Sequence, residues 1–243
     1  MLLLDAGNSR IKWALTHGDE LGRWLHEGVA PVGDLGALQQ QLAGLPAPNR
    51  IMASNVAGET VAQRIRAACA AWNCEVEFIT AQAEQCGVRN AYAEPAQLGS
   101  DRWAALIAAW RQLHTACLVV NCGTATTVDA LSEDGGFLGG LILPGLDMMR
   151  ASLAAGTAQL KQASGKLDEF PRNTADAIYS GSIQATVGAI LRQHALLGKP
   201  EAHCLLGGGA ASQIRAHLGL RHLQADDLVL TGLQLIGQET GKT

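Results

Sequence analysis

The chain has 243 residues, a formal net charge of −4 at neutral pH and a hydrophobic content of 48%. That length suits one large domain or two domains of roughly 120 residues each, and the apolar content is ample for a core. The weak negative charge, without any run of Lys or Arg, argues against nucleic acid and anionic membranes as main partners.

The cysteines and the first residues indicate a cytoplasmic protein. Six cysteines are present, and no two of them have the CxxC spacing of zinc or redox motifs. We expect reduced thiols, some of which pack as small hydrophobic side chains, as Cys117 and Cys204 do inside apolar stretches. The N-terminus lacks the basic region and apolar length of a signal peptide, and no stretch approaches the ~18 apolar residues of a membrane span.

The first predicted elements form a pattern that occurs twice. An apolar strand at residues 2–4 ends in Asp5, and a glycine turn leads to a second strand that closes with Ala-Leu. The pattern returns 116 residues later, where Asn121 takes the place of Asp5. Each copy continues through a polar turn into a third apolar stretch, as expected of a three-stranded meander. The repeat predicts two similar α/β domains, residues 1–115 and 116–243.

Between and after the meanders, apolar residues at spacings of three and four predict helices. The predicted helices are residues 35–45, 61–69, 102–113, 174–197 and 210–218. A strand at 204–206 precedes the last of them and is joined to it by a tight loop of three glycines, 207–209. Residues 155–172 have no clear period and are predicted to form a surface loop.

The turns that follow the first strand of each meander have the composition of phosphate-binding loops. Backbone N–H groups of glycine-containing turns bind phosphates, and carboxylates hold the accompanying metal ions. Asp5 can bind Mg²⁺, because hard cations prefer oxygen ligands, and Lys12 can offer a positive charge. Ordinary hairpin turns use the same residue types, so one such turn alone decides nothing. The matched pair, with Gly123 and Thr124 in the second turn, favours two loops that bind one phosphate tail.

The segment 99–102 precedes the predicted helix and has two interpretations. In the first, Ser100 caps the helix and Asp101 complements the helix dipole. In the second, Asp101 is a base that accepts the proton of a substrate hydroxyl, and Arg102 holds a carboxylate or phosphoryl oxygen. Modest basicity suffices, since phosphoryl transfer depends mostly on positioning and charge neutralisation. The local pattern leaves both interpretations open.

The glycines 207–209 and the histidines are less informative. The glycines form either a plain strand-to-helix turn or a flat backbone surface against which an adenine ring lies. The seven histidines lack the spacing of a metal site, so we assign them to the surface or the core.

Three motifs in order resemble the signatures of type III pantothenate kinases, some of which are known as Bvg accessory factors. They are Asp5-x-Gly7-Asn8-Ser9-x-Ile11-Lys12, Gly99-Ser100-Asp101-Arg102 and Gly123-Thr124-Ala125-Thr126-Thr127-Val128-Asp129. The resemblance implies the acetate and sugar kinase, Hsp70 and actin superfamily fold, with two tandem ribonuclease-H-like (actin-like ATPase) domains and ATP in the cleft between them. It also implies a homodimer with the pantothenate site near the subunit interface.

The resemblance assigns roles to individual residues of this chain. Asp101 matches the catalytic base of the family. The implied ATP-binding positions are Asp5, Ala6, Gly7, Asn8, Ser9, Arg10, Ile11, Lys12 and Thr124. The implied pantothenate-binding positions are Tyr92, Gly99, Ser100, Asp101, Arg102 and Thr174. For two of these, the residue pattern leaves a structural alternative open: Tyr92 as an ordinary buried tyrosine and Thr174 as a helix N-cap.

One position departs from the family pattern. Many members have Asp where this chain has Asn121, and there the carboxylate helps to bind an activating potassium or ammonium ion. Asn keeps a carbonyl oxygen but loses the charge, which puts a requirement for a monovalent cation in doubt. Mg²⁺, at Asp5, is the expected companion of ATP.

The implied activity is transfer of the γ-phosphoryl group of ATP to pantothenate, the first step of coenzyme A synthesis. Two alternatives remain: a kinase for another small alcohol or carboxylate, and a non-catalytic, nucleotide-dependent regulatory protein. Asp101 together with Arg102 argues against the regulatory alternative, because a pure switch does not need a base beside the acceptor.

Overall fold

The computed structural model describes residues 1–156 and 164–241. The strands in this part of the chain are β1 (Leu2–Ala6), β2 (Arg10–Thr16), β3 (Trp24–Pro31), β4 (Ile51–Asn55), β5 (Val76–Phe78), β6 (Glu84–Gln85), β7 (Val88–Asn90), β8 (Cys117–Cys122), β9 (Ala125–Leu131), β10 (Gly136–Pro144), β11 (His203–Gly207) and β12 (His222–Gln224). The α-helices are α1 (Leu35–Leu42), α2 (Glu59–Cys69), α3 (Ser100–Leu113), α4 (Leu146–Gly156), α5 (Thr174–Leu197), α6 (Ala211–Arg215) and α7 (Leu228–Thr240). None of these helices combines the length and the apolar character needed to cross a membrane.

The chain divides into two compact units. The described residues of unit 1 are those up to His114, Gly135–Phe137 and those from Asp227 onward, and the described residues between these segments form unit 2. The sheet of unit 1 has the order β3-β2-β1-β4-β5. Within it, β1 is antiparallel to β2 and parallel to β4, which sets Asp5 opposite Lys12 on one side and beside Ser54 on the other.

Unit 2 repeats this topology. Its strands lie in the order β10-β9-β8-β11-β12, with β8 antiparallel to β9 and parallel to β11. Each unit is therefore a meander followed by two parallel strands on the other side of the first strand. In unit 1 a short ladder is added, because β7 pairs with β6 and with Gly136 and Phe137 at the beginning of β10.

The two meanders differ in the turn between their first two strands. Ala6 pairs with Ile11, which leaves residues 7–10 in the turn, whereas Cys122 pairs with Thr126 and leaves only 123–125. The residue opposite Asn121 is Thr127, whereas the residue opposite Asp5 is the cation Lys12. The sequence repeat is thus present in the topology, while the chemistry of the two turns differs.

The sheet of unit 1 is covered on both faces. Side chains alternate across a strand, so Leu2, Leu4 and Ala6 of β1 point into one core, which includes Leu38 of α1 and Ile65 of α2. Leu3 and Asp5 lie on the opposite face, which α7 covers at β1 and β4 and α3 covers at β4. Asp5 is thus the polar residue of a strand whose other residues are buried.

Most predicted helices are present with small changes at their ends. Helix α5 has the predicted bounds, and α2 and α3 each begin two residues earlier than predicted. The prediction of a helix to residue 218 is wrong: α6 ends at Arg215, after which the N–H groups of His217 and Leu218 bond to carbonyls three residues back. Helix α4 was not expected from the sequence.

The predicted surface loop at 155–172 is only partly described. Its first two residues belong to α4, residues 164–172 form neither helix nor strand, and 157–163 lie outside the described residues. Phe170 is 82% exposed, as suits a surface segment.

The last helix, α7, belongs to unit 1 and packs against α3. Leu230, Leu233 and Ile236 are buried. A division of the sequence into domains at residues 115 and 116 places this helix in the second domain instead, and that division stays a prediction. The compact units differ from it because the apolar face of α7 is buried against elements of unit 1.

The close approach of α7 to α3 depends on Gly232. A Cβ atom at this position would overlap the backbone of Ala104. Because backbone atoms of a packed helix cannot step aside as a flexible side chain can, we expect Gly232→Ala to lower the free energy of unfolding by about 3 kcal/mol. Urea denaturation followed by circular dichroism measures this change.

Gly188→Ala in α5 is the matched control. Apart from its two chain neighbours and the backbone of its own helix, no described atom lies within 4 Å of the Cβ that this change adds. Alanine has the higher helix propensity, so the control should be neutral or more stable by up to ~1 kcal/mol. Equal losses for the two variants would contradict the packing argument.

Candidate active site

The turn of unit 1 that follows β1 is closed by backbone hydrogen bonds. The N–H of Gly7 donates to the carbonyl of Arg10 at 3.0 Å, and the N–H of Val32 donates to the carbonyl of Ser9 at 3.1 Å. Among the predicted ATP-binding residues of this turn, the exposed side chains are those of Asn8, Ser9 and Arg10. Those buried in the core are Ala6 and Ile11, so only their backbone can reach a ligand.

Asp5 lies at the base of this turn in surroundings that disfavour its charge. Burial raises the pKa of its carboxyl to about 7, the charge of Asp101 also raises this pKa, and Lys12 opposes the shift. Lys12 also forms an ion pair with Asp227 at 4.0 Å. A carboxylate whose pKa is raised by burial and by a neighbouring carboxylate favours the binding of a proton or a metal ion.

Asp101 is held at the beginning of α3. The N-cap of α3 is Gly99, which has no side chain, so the alternative in which Ser100 is the cap is wrong. The N–H of Arg102 donates to the carboxylate of Asp101 at 2.8 Å. A Cβ at position 99 would lie 2.7 Å from Asp101 Oδ1, so the glycine leaves room for the carboxylate.

The pKa of the Asp101 carboxyl is also raised. Burial raises its pKa above the ordinary value, while the N–H and the charge of Arg102 oppose the shift. A raised pKa makes a carboxylate a better proton acceptor. The direction of this shift suits the interpretation of Asp101 as a base.

Arg102 belongs to a cluster with two aromatic rings. Its side chain is buried, its Nη1 donates to Tyr92 Oη at 3.3 Å, and its guanidinium lies 5.9 Å from the centre of the Phe137 ring. The rings of Tyr92 and Phe137 are 5.5 Å apart, and Tyr92 is partly exposed rather than buried. A guanidinium fixed against rings keeps its charge and can hold an anionic group.

The turn of unit 2 that follows β8 is also held by backbone hydrogen bonds. The N–H of Gly123 donates to the carbonyl of Ala125 at 3.1 Å, and the N–H of Gly145 donates to the carbonyl of Thr124 at 2.9 Å. A Cβ at position 145 would overlap the carbonyls of both Gly123 and Thr124. The Thr124 side chain is exposed.

Packing accounts for two of the three glycines at 207–209. A Cβ at Gly207 would overlap the carbonyl of Ala225. Gly208 has a φ of +92°, and a Cβ there would lie 2.6 Å from both Asn121 Oδ1 and the carbonyl oxygen of Cys122. Both glycines therefore fit the plain-turn interpretation. Gly209 is exposed and has no described atom within 4 Å of an added Cβ, so for this residue the adenine interpretation stays open.

Thr174 is the first residue of α5, and its side chain is exposed. The N-cap of this helix is Asn173, whose Oδ1 accepts the N–H of Asp176 at 2.9 Å. The alternative in which Thr174 is the cap is wrong for that reason. A role for Thr174 in binding pantothenate stays a prediction.

The side-chain oxygens near the two turns differ in how well they suit a cation as ligands. Within residues 1–156 and 164–241, no three His, Cys, Asp or Glu side chains form a cluster suited to a metal ion. Mg²⁺ needs fewer, because it keeps water and substrate phosphates as ligands and often takes one carboxylate from the protein. Asp5 fits that role, since its raised pKa beside Asp101 marks a place that favours positive charge. At Asn121 the possible cation ligand is the oxygen of an uncharged amide.

Sequence reasoning does not identify two residues of this region. Phe137, one of three Phe residues in the chain, supports Tyr92 and Arg102 from the beginning of β10. Ser54 is fully buried on β4, and its hydroxyl lies 2.9 Å from that of Ser100. For Ser54, the only signal in the sequence is that a polar residue follows the apolar run 51–53. For Phe137, the only signal is that Phe is rare in this chain.

Solved structures resemble the chain over its whole length. A Baf family transcriptional activator from Campylobacter jejuni is 21% identical, with a TM-score of 0.65 and coverage of 100% of both chains. A ROK family glucokinase from Streptomyces griseus is 11% identical, with a TM-score of 0.51 and coverage of 98% of this chain and 99% of the other. These likenesses and the repeated sheets confirm the predicted class, an actin-like ATPase fold of two ribonuclease-H-like domains.

Sequence relatives narrow this class to one family. The model of type III pantothenate kinase matches residues 1–195. The type III pantothenate kinase of Nitrosospira multiformis is 48% identical over 246 residues, covering 100% of this chain and 93% of the relative. That of Aromatoleum aromaticum is 49% identical over 241 residues, covering 98% of each. The chain belongs to the type III pantothenate kinase family.

The raised pKa of Asp5 predicts a pH-dependent stability. The protonated carboxyl favours the folded state, so this contribution is complete below the ordinary pKa of 3.8 and is lost as the pH rises through about 7. Asp5→Asn removes the titration. Without nucleotide or metal, the variant should become more stable than the parent as the pH rises from 4 to 8, by at most roughly 4 kcal/mol. Urea denaturation across this range measures the difference.

Glu27→Gln is the control, because it removes the same charge at an exposed position on β3. Its difference from the parent should stay small and flat across the same pH range. A flat difference for Asp5→Asn as well would show that burial does not perturb Asp5.

Proposed function

We propose that this protein transfers the γ-phosphoryl group of ATP to the primary hydroxyl of pantothenate, giving 4'-phosphopantothenate as the first step of coenzyme A synthesis. The observation that supports this most is the partly buried Asp101 carboxylate, whose charge raises the pKa of Asp5. Within the type III pantothenate kinase family, that arrangement puts a base next to a phosphate-binding turn. Activity on pantothenate is what the names of the relatives imply.

The nucleotide is bound by its phosphates. In unit 1 the backbone of residues 6–11, the exposed Asn8 and Ser9 side chains and the Lys12 ammonium group contact phosphate oxygens. In unit 2 the exposed Thr124 on its braced turn offers a hydroxyl and backbone groups of the same kind. Mg²⁺ bound with ATP at Asp5 supplies positive charge against the phosphates, and most of the rate enhancement comes from such neutralisation and positioning.

The acceptor is bound by the cluster beside α3. Arg102, held by Tyr92 and Phe137, attracts the pantothenate carboxylate or a phosphoryl oxygen. Gly99, Ser100 and Thr174 complete the proposed contacts. The primary hydroxyl gives its proton to Asp101, its oxygen bonds to the γ-phosphorus, and the bond between that phosphorus and the bridging oxygen breaks to release ADP. The raised pKa of Asp101 favours this proton transfer.

We further propose that the protein acts as a homodimer in the cytoplasm. Exposed aliphatic side chains in unit 2, among them Leu138 at 58% and Ile142 at 66%, support a partner subunit. The six cysteines are free thiols, and burial raises the pKa of Cys117, Cys122 and Cys204 to about 12, which suits inert core thiols in a reducing compartment. Nucleic acid and membranes are not among the proposed partners.

A kinase for another small alcohol or carboxylate is the second candidate, because Arg102 would attract any compact anion. The decisive experiment measures ADP release with pantothenate and with a panel of sugars, small alcohols and acetate. We expect negligible ATP consumption until pantothenate is present. Turnover on a sugar or acetate, with none on pantothenate, would replace the proposed substrate.

Asp101→Asn belongs in the same assay as the matched variant. The amide can still accept the N–H of Arg102, so the fold and ATP binding should persist with a change of at most ~1 kcal/mol from the helix dipole. Its kcat should fall by ~10² or more, because the amide cannot take up a proton. A fully active variant would return Asp101 to the structural interpretation.

The amide at Asn121 predicts weak or absent dependence on a monovalent cation. A carboxylate supplies a full negative charge to a bound ion, whereas an amide supplies a dipole, and Lys12 and Arg102 can neutralise part of the phosphate charge. We expect activity in Tris buffer to differ little among potassium, ammonium and sodium chloride at matched ionic strength, which keeps general screening constant.

Asn121→Asp is the companion variant. The two side chains have the same shape, so the contact with Gly208 is kept and only the charge changes. This variant should gain a preference for potassium or ammonium. If the parent requires potassium as steeply as the Asp variant does, the interpretation of Asn121 is wrong.

A further inference from the structure

The beginning of α3 is tied to β4 by a hydrogen bond between two buried hydroxyls. Ser54 Oγ and Ser100 Oγ are 2.9 Å apart, with Ser54 0% and Ser100 8% exposed. Ser100 does not cap its own helix, so its hydroxyl is directed to the strand instead. Alanine would fill both positions with almost the same volume and no polar group to desolvate. The hydrogen bond between the two hydroxyls therefore orients α3 relative to β4, whereas the hydroxyls add little to the packed volume.

The position of this bond in the sheet is specific. Ser54 is the residue of β4 that pairs in register with Asp5 on β1. Ser100 immediately precedes Asp101, the other carboxylate of the site. One hydrogen bond thus connects the strand position beside Asp5 with the helix position beside Asp101. Both ends lie on the face of the sheet that α3 and α7 cover.

The other printed side-chain bonds at this helix end lead to elements other than β4, as the bond from Arg102 Nη1 to Tyr92 Oη does. Gly99 contributes no side chain, and the carboxylate of Asp101 bonds to the N–H of its neighbour Arg102, so it moves with the helix. The indole N–H of Trp103 donates to Gln85 Oε1 at 3.0 Å, which anchors α3 to β6. The bond between Ser54 and Ser100 is the described side-chain bond that anchors the first turn of α3 to the strand next to Asp5.

We propose that Ser54 is a positioning residue for phosphoryl transfer, which acts through Ser100 to set the distance between the carboxylates of Asp101 and Asp5. This inference rests on the proposed function, because it takes Asp101 as the base that meets the acceptor hydroxyl. Ser54 itself is fully buried and touches no substrate. A displacement of about 1 Å at a reacting group lowers rates by as much as ~10²-fold, so a single buried hydroxyl can matter for turnover.

A double-mutant cycle tests the proposal. Ser54→Ala and Ser100→Ala should each lower kcat by about 10-fold to 100-fold, with the KM for ATP changed less than 3-fold. The double variant should be no slower than the slower single variant, because either change already breaks the bond. Losses that multiply in the double variant, or full kcat in Ser54→Ala, would overturn the proposal. Ser54→Cys, with a weaker donor of similar size, replaces Ser54→Ala if that variant does not fold.

Thr16→Val is the matched control for a purely structural effect. Thr16 is a buried hydroxyl in the same unit, bonded to the N-terminal amine at 3.1 Å, at the end of β2 away from the Asp5 turn. This control should lower the melting temperature and keep kcat. If it lowers kcat as much as Ser54→Ala does, the effect belongs to general stability and the proposal fails.

A second measurement does not depend on the substrate. In ¹H–¹⁵N spectra recorded without ligands, the amide signals of Asp101 and Arg102 should shift in both single variants and equally in the double variant. They should stay unchanged in Thr16→Val. A parent inactive on pantothenate would contradict the proposed function and leave this comparison intact. Unshifted signals in Ser54→Ala would refute the positioning role in an enzyme that is active.

Discussion

Two carboxylates, Asp5 and Asp101, share partly buried surroundings, and this arrangement opposes the ordinary tendency of a fold to separate like charges. Burial and the charge of Asp101 raise the pKa of Asp5 to about 7, so the free protein carries the strain of an acidic pair. The rest of unit 1 maintains the pair. Strand pairing fixes Asp5 opposite Lys12, Gly99 leaves space for the Asp101 carboxylate, and α7 holds α3 against the sheet.

The repulsion between these two carboxylates also links ligand binding to catalysis in the proposed function. In the proposed function, positive charge from a metal ion bound with the nucleotide lowers the repulsion between the two carboxylates, and this gain in free energy favours ligand binding. Lys12 and Arg102 moderate the repulsion without removing it, since both also engage other groups, Asp227 and Tyr92 respectively. A fully neutralised pair would be more stable in the free protein and less responsive to the ligand.

The sequence was informative wherever a rule is local. The repeat of strand, glycine turn and strand predicted two similar domains. The five strands of each repeat indeed have the same order, although the second sheet also includes β7 and β6. The period of α5 gave its bounds. Helix α4 was missed although Leu146, Met149 and Leu153 have helical spacing, and only Leu146 among its residues is buried. Phe137 was missed because its partners lie more than thirty residues away along the chain. The local pattern of residues 99–102 left the cap alternative for Ser100 open because the partner of its hydroxyl, Ser54, lies on another element.

The path of the chain also constrains how the protein is made. Helix α7 completes unit 1, yet it is synthesised after every strand of both sheets. During translation, the Asp5 turn therefore leaves the ribosome early. The face of its sheet that α7 later covers stays exposed to water until α7 is synthesised. Unit 2, whose residues follow one another with one short interruption, can fold before unit 1 is finished. Nascent chains should thus expose an apolar surface that chaperones recognise, and the acquisition of a working active site becomes a late event of translation.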